Sequence, residues 1–122
     1  RERKGCIMAS PITWVLRLKI QDGKNEDFHS VMKEMVESTE DETDALVYDW
    51  YVDGDVVHII ERYADSTAVV THMKNFGSFA ERFVGSIQPI EFIVYGDPSV
   101  AAREAISAFA PAYFTPLASI TR

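Results

Sequence analysis

A hairpin followed directly by a helix, near the middle of the chain, constrains the fold of this protein more than any other feature. Two runs of β-forming residues, at positions 46–52 and 56–63, flank an Asp-Gly-Asp turn centred on Gly54. Asp-Gly between such runs predicts a β-hairpin, because glycine adopts the positive φ that a tight turn requires. Asp65 and Ser66 are then candidate N-caps for a helix that carries His72. This one window predicts strand, turn, strand and helix.

Hydrophobic periodicity predicts further elements on both sides of this window. Apolar residues alternate at positions 12–20, which predicts a strand, since successive side chains of a strand point to opposite faces. Positions 87–95 are the predicted fourth strand, and Pro89 near its beginning suits an edge or a strand start. Apolar residues recur at three- and four-residue spacing at positions 24–38 and 76–84, which predicts two helices with one buried face each.

The C-terminal part of the chain is predicted to contain one more helix and an extended tail. Asp97 is the predicted N-cap and Pro98 the predicted first residue of a helix that reaches residue 109. Pro111 and Pro116 prevent that helix from continuing, because proline lacks an amide hydrogen and clashes with the preceding turn. The tail beyond is apolar enough that we expect it to dock on its own domain or on a partner.

The predicted order of elements is strand, helix, strand, strand, helix in two pieces, strand. This is the split βαβ arrangement of ferredoxin-like domains, an α+β fold in which helices cover one face of a four-stranded antiparallel sheet. We assign it to residues 11–97, with the C-terminal helix and docking tail at residues 98–122. Residues 1–10 are expected to be a disordered N-terminal extension, in which Met8 is a candidate for the native start.

The hairpin carries apolar or aromatic residues on both of its faces. Tyr48 and Trp50 lie on one face of its first strand, and Val47 and Tyr51 lie on the other. A strand of this kind is usually covered on both sides. The helices of the same chain supply one cover, and a second subunit is the simplest source of the other. The sequence therefore predicts a homodimer that forms through the sheet face.

Composition excludes several classes of partner and cofactor. The 12 basic and 19 acidic residues give a net charge of −7, which repels nucleic-acid phosphates and anionic membranes. No apolar run approaches the roughly 20 residues of a membrane span. Cys6 is the only cysteine, so no internal disulfide is expected and a cytoplasmic location is predicted. The sequence lacks a glycine-rich phosphate loop and metal-motif spacing, so neither a nucleotide cofactor nor a metal is expected.

The segment IIERYADSTAVVTHM, which begins at Ile59, resembles the antibiotic biosynthesis monooxygenase (ABM) domain family. Members commonly show glutamate–x–tyrosine at the end of the third strand, an acidic turn, a helical alanine and a histidine near the helix end. The matching positions here are Glu61, Tyr63, Asp65, Ala68 and His72. The run VYGDPS and a tail that closes in Arg122 are similar to a subgroup of quinol monooxygenases. The resemblance spans about residues 11–122 and implies a dimeric α+β barrel.

The resemblance also implies cofactor-independent oxygenation of a quinol, phenol or anthrone-like aromatic substrate by molecular oxygen. This chemistry needs a base that removes a phenolic proton, and histidine suits that role near neutral pH. His72 is the candidate base. Glu61 either orients His72 or pairs with a basic group such as Arg17 across the dimer, and the pairing is favoured. The predicted substrate-binding side chains are aromatic or flexible and apolar: Tyr48, Trp50, Tyr63, Met73, Phe76 and Phe83.

Several alternatives stay open at this point. The same fold suits a ligand-binding or stress-response protein without turnover, an isomerase or a haem-degrading enzyme, and each pocket residue has core packing as its alternative role. His58 is expected to pack or to lie in an interface, and His29 to be exposed. The acidic run at positions 39–44 is expected to be a solvated connection and nothing more.

Overall fold

A computed structural model describes residues 10–120 and 122 of the chain. The expected disordered extension lies outside these residues apart from Ser10, and so do Cys6 and Met8. The described residues form five strands, four α-helices and one 3₁₀ turn. Their order is β1 (Ile12–Ile20), α1 (Asn25–Glu40), β2 (Ala45–Asp53), β3 (Val56–Tyr63), α2 (Ser66–Phe76), α3 (Ala80–Ser86), β4 (Ile87–Tyr95), α4 (Val100–Ile106), the 3₁₀ turn (Ser107–Phe109) and β5 (Ala112–Phe114).

The strands form one sheet in the order β2-β3-β1-β4-β5. The first four strands pair antiparallel throughout, as the split βαβ arrangement predicts. The predicted number of strands was wrong, because Ala112–Phe114 of the tail pairs parallel to β4 and makes the sheet five-stranded and mixed. The chain reaches that edge through α4, a crossover that parallel pairing requires. The expectation that the tail docks on its own domain holds for β5.

The predicted hairpin turn and the starts of α1 and α2 fit the structure, but α3, predicted at positions 76–84, begins at Ala80, because Phe76 is the last residue of α2. Gly54 has a φ of +64°, the conformation for which glycine was expected there. Asp65 caps α2, and its carboxylate accepts a hydrogen bond from the Ala68 amide at 2.9 Å. The predicted cap at Asp97 was wrong. The hydroxyl of Ser99 accepts from the Ala102 amide instead, and α4 begins at Val100.

The core lies between the helices and one face of the sheet. Every second residue of β1 points into it, from Ile12 to Ile20, and all five of those side chains are buried. The same alternation buries Val57, Ile59, Glu61 and Tyr63 of β3. Helix α2 adds Val69 and His72 from its inner side. We call this side the helix-covered face of the sheet.

The opposite side of the sheet carries no helix of the described chain, and we call it the bare face. The residue pairs Thr13–Arg62, Val15–Ile60 and Arg17–His58 place one strand's bare-face side chains beside the next. Val15 and Ile60 are half-buried, while Tyr51 on β2 is 55% exposed. The bare face is thus a mixture of apolar and charged groups. Among the described residues, no helix has the length and apolar character needed to cross a bilayer.

Candidate active site

A cavity opens between the helix-covered face and helices α2 and α4. Its volume is about 30 Å³. Its lining is mainly aromatic and aliphatic: Trp14, Leu16, Met35, Tyr48, Ile59, Met73, Phe76, Phe83, Phe92, Ile106 and Phe109. Only two ionisable acid–base groups other than tyrosine join this lining, namely Glu61 and His72. An apolar cavity with a few convergent polar groups is the usual form of a small-molecule site.

His72 lies between two carboxylates and is 5% exposed. Its Nδ1 is 2.9 Å from Oε1 of Glu42, and its Nε2 is 3.4 Å from Oε1 of Glu61. An ionised carboxylate only accepts hydrogen bonds, so Nδ1 carries the proton and donates to Glu42. The lone pair of neutral His72 then lies on Nε2, beside Glu61. This arrangement fixes both the tautomer and the orientation of the ring.

Three aromatic rings surround the imidazole of His72. The ring centroids of Tyr63, Tyr48 and Trp14 lie 4.9, 5.4 and 6.5 Å from it. They come from β3, β2 and β1, so the sheet holds the histidine on the side away from α2. The environment is therefore apolar apart from the two carboxylates and the tyrosine hydroxyls.

Glu61 is the more unusual member of the site, because it is a glutamate that is 6% exposed in the middle of a sheet. The hydroxyl of Tyr63 donates to its Oε1 at 2.6 Å. Burial raises the pKa of Glu61 above its ordinary value, although His72 and the Tyr63 hydroxyl oppose that rise. Within this chain Glu61 contacts His72, whereas Arg17, its predicted partner across a dimer, donates to Glu91 at 2.7 Å on the bare face.

Burial also raises the pKa of both tyrosines that contact His72. For Tyr48 and for Tyr63, desolvation is the largest cause and the nearby charge of Glu61 the second. Both hydroxyls therefore keep their protons near neutral pH. A neutral hydroxyl can donate a hydrogen bond to an oxygen that gains negative charge, which suits Tyr48, the tyrosine that lines the cavity, to orient an anionic substrate.

Glu42 is the site residue that sequence reasoning missed. It belongs to the acidic run that was expected to be a solvated connection, and that expectation was wrong for this residue. Its Oε1 accepts a hydrogen bond from His72, and its Oε2 accepts one from the side-chain amide of Asn75 at 3.1 Å. The side chain of Glu42 is only 8% exposed. Thirty residues separate Glu42 from His72, and no local pattern distinguishes it from the acidic residues beside it.

The predicted substrate-binding residues divide into two groups. Tyr48, Met73, Phe76 and Phe83 line the cavity. Tyr63 lies behind the wall and acts through Glu61, while Trp50 packs against Phe28 and Phe83. Seven further lining residues were not predicted as such: Trp14, Leu16, Met35, Ile59, Phe92, Ile106 and Phe109. Their signals were ordinary core patterns, which look the same for a pocket wall.

The other two histidines of the described chain lie away from the cavity. His58 is exposed on the bare face, where its Nε2 accepts from Nε of Arg17 at 3.3 Å. His29 is exposed on α1, as expected, and its Nδ1 is 2.8 Å from the carbonyl oxygen of Asn25. Within residues 10–120 and 122, no cluster of three or more His, Cys, Asp or Glu side chains is placed to hold a metal ion.

Comparison with known proteins identifies the family of the chain and shows where else its fold occurs. The sequence model of the antibiotic biosynthesis monooxygenase family matches residues 11–78, more than half of the chain. The chain belongs to the ABM family. The matched range contains Glu42, Glu61 and His72, while β4, α4 and β5 of this ABM protein lie outside it. No curated protein sequence matches the chain.

Solved structures show the same fold for this ABM protein. MupZ from Pseudomonas fluorescens superposes with a TM-score of 0.83 at 19% identity, over 94% of this chain and 91% of MupZ. SnoaB, a cofactor-independent oxygenase from Streptomyces nogalater, gives a TM-score of 0.62 at 14% identity, over 75% of this chain and 97% of SnoaB. Rv0793 from Mycobacterium tuberculosis gives 0.64 at 17% identity, over 73% of this chain and 96% of Rv0793.

Proposed function

We propose that this ABM protein is a cofactor-independent monooxygenase that oxidises a phenol, quinol or anthrone-like aromatic with molecular oxygen. The observation that carries the proposal is His72, buried at the wall of an apolar cavity with its Nδ1 proton held by Glu42. That geometry leaves Nε2 as a base on the cavity side. Membership of the ABM family and the likeness of the fold to SnoaB support the same reaction class.

The chemistry begins with removal of an acidic proton from the substrate by Nε2 of His72. The resulting anion gives one electron to oxygen, and the radical and superoxide combine to a peroxide anion at a ring carbon that bears hydrogen. Return of the proton held by His72 converts this anion to a hydroperoxide. Loss of water from this hydroperoxide leaves a carbonyl, so a phenol and O₂ give a quinone and H₂O. One oxygen atom enters the product and the other leaves as water. The substrate supplies all four electrons, and no external reductant is needed.

Glu42 and Glu61 have different roles in this mechanism. Glu42 is a positioning residue, because it touches His72 on the side away from Glu61 and stabilises the imidazolium that forms on proton uptake. Glu61 lines the cavity 3.4 Å from Nε2, so it faces the proton that His72 has taken. The apolar wall excludes water from the radical pair and so protects it from side reactions.

The test is oxygen uptake by metal-free and flavin-free protein across a panel of hydroquinones, phenols and anthrones. We expect saturable uptake with one compound class, and with ¹⁸O₂ we expect one labelled atom in the product. His72→Ala should abolish the uptake. His29→Ala is the matched control, because His29 is exposed on α1 and should leave the rate unchanged. Full activity in His72→Ala, or no uptake across the panel, would contradict the proposal.

A second reaction class is favoured by Glu61 specifically. Burial raises its pKa, so Glu61 retains a proton to higher pH than an exposed carboxyl does, next to the unprotonated Nε2 of His72. An acid and a base on one cavity wall can also move a proton between two carbon atoms of a substrate, which is an isomerase reaction. Deuterium incorporation from D₂O into the substrate without oxygen consumption would select this reaction instead.

We further propose that the protein is a homodimer that buries the bare face of each sheet. Val15, Ile60 and Ile93 lie side by side at its centre and are half-buried in the single chain. Their apolar surface loses its contact with water when a second copy covers it. The single cysteine of the sequence supports a reducing, cytoplasmic setting for this assembly.

A further inference from the structure

The C-terminal part of the chain contributes one end of the cavity wall. The ABM match ends at residue 78, whereas Ile106 of α4 and Phe109 of the 3₁₀ turn both line the cavity. Ile106 is fully buried, and Phe109 is only partly buried. The extension beyond β4 therefore completes the candidate active site as well as adding a strand to the sheet.

Phe109 lies at the far end of a row of rings that starts at His72. The ring centroids of Trp14 and His72 are 6.5 Å apart, those of Trp14 and Phe92 are 5.5 Å apart, and those of Phe92 and Phe109 are 5.8 Å apart. Phe109 also contacts Phe76, which lies one helical turn after His72, at 5.9 Å. Phe109 thus closes the space between α2 and the sheet at the end away from the base.

The space that Phe109 closes is small. A cavity of about 30 Å³ holds about two water molecules, so a phenolic ring must displace part of the wall and a fused three-ring compound must displace much more of it. Ile106 is fully buried, whereas Phe109 is only partly buried and is therefore less constrained by packing. Phe109 is thus the part of this extension that can adjust to a ligand.

We propose that Phe109 is a specificity-determining residue that limits this site to compact phenolic rings and excludes fused three-ring compounds. The inference rests on the proposed function only in taking an aromatic ring as the ligand. It does not depend on whether that ring is oxygenated. Replacing Phe109 by a smaller residue should lengthen the cavity at the end opposite His72 and leave the base and both carboxylates in place.

The test is ligand binding, measured by quenching of tryptophan fluorescence, because Trp14 is part of the cavity wall. The probes are 4-nitrophenol, with one ring, and 1,8-dihydroxyanthraquinone, with three fused rings. In Phe109→Ala we expect the three-ring probe to bind at least tenfold more tightly than in the parent, and the one-ring probe to change by less than threefold. Phe109→Leu keeps apolar packing and should give an intermediate gain for the three-ring probe.

Phe114→Ala is the matched control. Phe114 belongs to the same extension but contacts Tyr95 on β4 and is 57% exposed, so both affinities should equal those of the parent. The inference is overturned if both probes gain equally in Phe109→Ala, if the parent already binds the three-ring probe tightly, or if no variant binds either probe. Absence of oxygen uptake would contradict the proposed function and leave this result unaffected.

Discussion

The two faces of the sheet differ in how far their polar residues are exposed to solvent. The helix-covered face buries Glu61 beside His72 in an apolar cavity, with no water-exposed partner. The bare face carries a comparable pair, His58 and Glu91, but both contact Arg17 and are exposed. Both faces carry histidine and glutamate, but one set is closed to solvent and the other is exposed beside an arginine.

This comparison shows that burial gives ordinary side chains a chemical role. On the bare face, solvent screens the ion pair of Arg17 and Glu91, so each group behaves as an independent surface charge. On the helix-covered face the low dielectric strengthens each interaction and raises the pKa of Glu61. Covering one face thus gives Glu61 and His72 the environment that the proposed acid–base chemistry requires, and the bare face is the surface through which we propose that the protein dimerises.

The largest expected difference lies between the two histidines. Changing His72 to glutamine should reduce oxygen uptake about 10²–10⁴-fold, because general-base catalysis contributes that much to a rate. Changing His58 to glutamine should leave the rate within about twofold, since His58 is exposed on the other face. Initial rates at saturating and at low substrate measure both effects. Equal losses would show that the bare face also takes part in turnover.

Packing should differ between the two faces of the same strand, β1. Leu18 is fully buried on the helix-covered face, so Leu18→Ala should lower the free energy of unfolding by about 2–5 kcal/mol. Val15 is half-buried on the bare face, and Val15→Ala should cost about 1 kcal/mol or less. Urea denaturation at low protein concentration gives both values. A large loss in Val15→Ala at that concentration would mean that the bare face is part of the core.

The buried Glu61 and the exposed Glu91 should differ in how they make the free energy of unfolding depend on pH. The pKa of Glu61 is raised above 4.5 in the folded state, so above pH 4.5 the unfolded chain loses this proton first and the folded state loses stability. Glutamine does not ionise, so Glu61→Gln does not show this loss. The free energy of unfolding of the variant relative to the parent should rise by about 1.4 kcal/mol for each pH unit between 4.5 and the folded-state pKa of Glu61. Below pH 4.5 this rise should vanish. The measurement is urea denaturation from pH 4 to pH 8.

Glu91→Gln is the matched variant on the bare face. Its carboxylate is 44% exposed in the ion pair with Arg17, so the change should cost no more than about 1 kcal/mol over the same pH range. If the two variants gave parallel curves, the burial of Glu61 would have no measurable cost, contrary to this account.

The smallest effect on the fold is expected from Ile60→Asp at the centre of the bare face. A carboxylate there opposes burial against a second copy, so we expect a dimer to dissociate into monomers with an unchanged circular dichroism spectrum. Ile120→Asp is the control, because Ile120 is 80% exposed in the tail. Sedimentation velocity measures both. A parent protein that sediments as a monomer would contradict the proposed homodimer.

Much of the architecture followed from local patterns in the chain. The alternation of β1 is so regular that its buried face could be read residue by residue, and the Asp-Gly turn at Gly54 fixed the hairpin. His72 was identified because a resemblance of sequence and a helical period both pointed to it. The short edge strand β5 gave no such signal. The three residues of β5 carry too little pattern to predict a strand, and they pair only because β4 presents an open edge.

What the sequence determined by itself is the set of elements and the face that each one buries, because hydrophobic periodicity is a local property of the chain. Only the tertiary structure decided which buried polar groups meet. Glu42 reaches His72 from a loop thirty residues away, Glu61 contacts His72 and leaves Arg17 to Glu91, and Phe109 closes a cavity whose base lies on another helix. Contacts of this kind depend on how elements pack against one another, and the free energy that selects them is summed over the whole core.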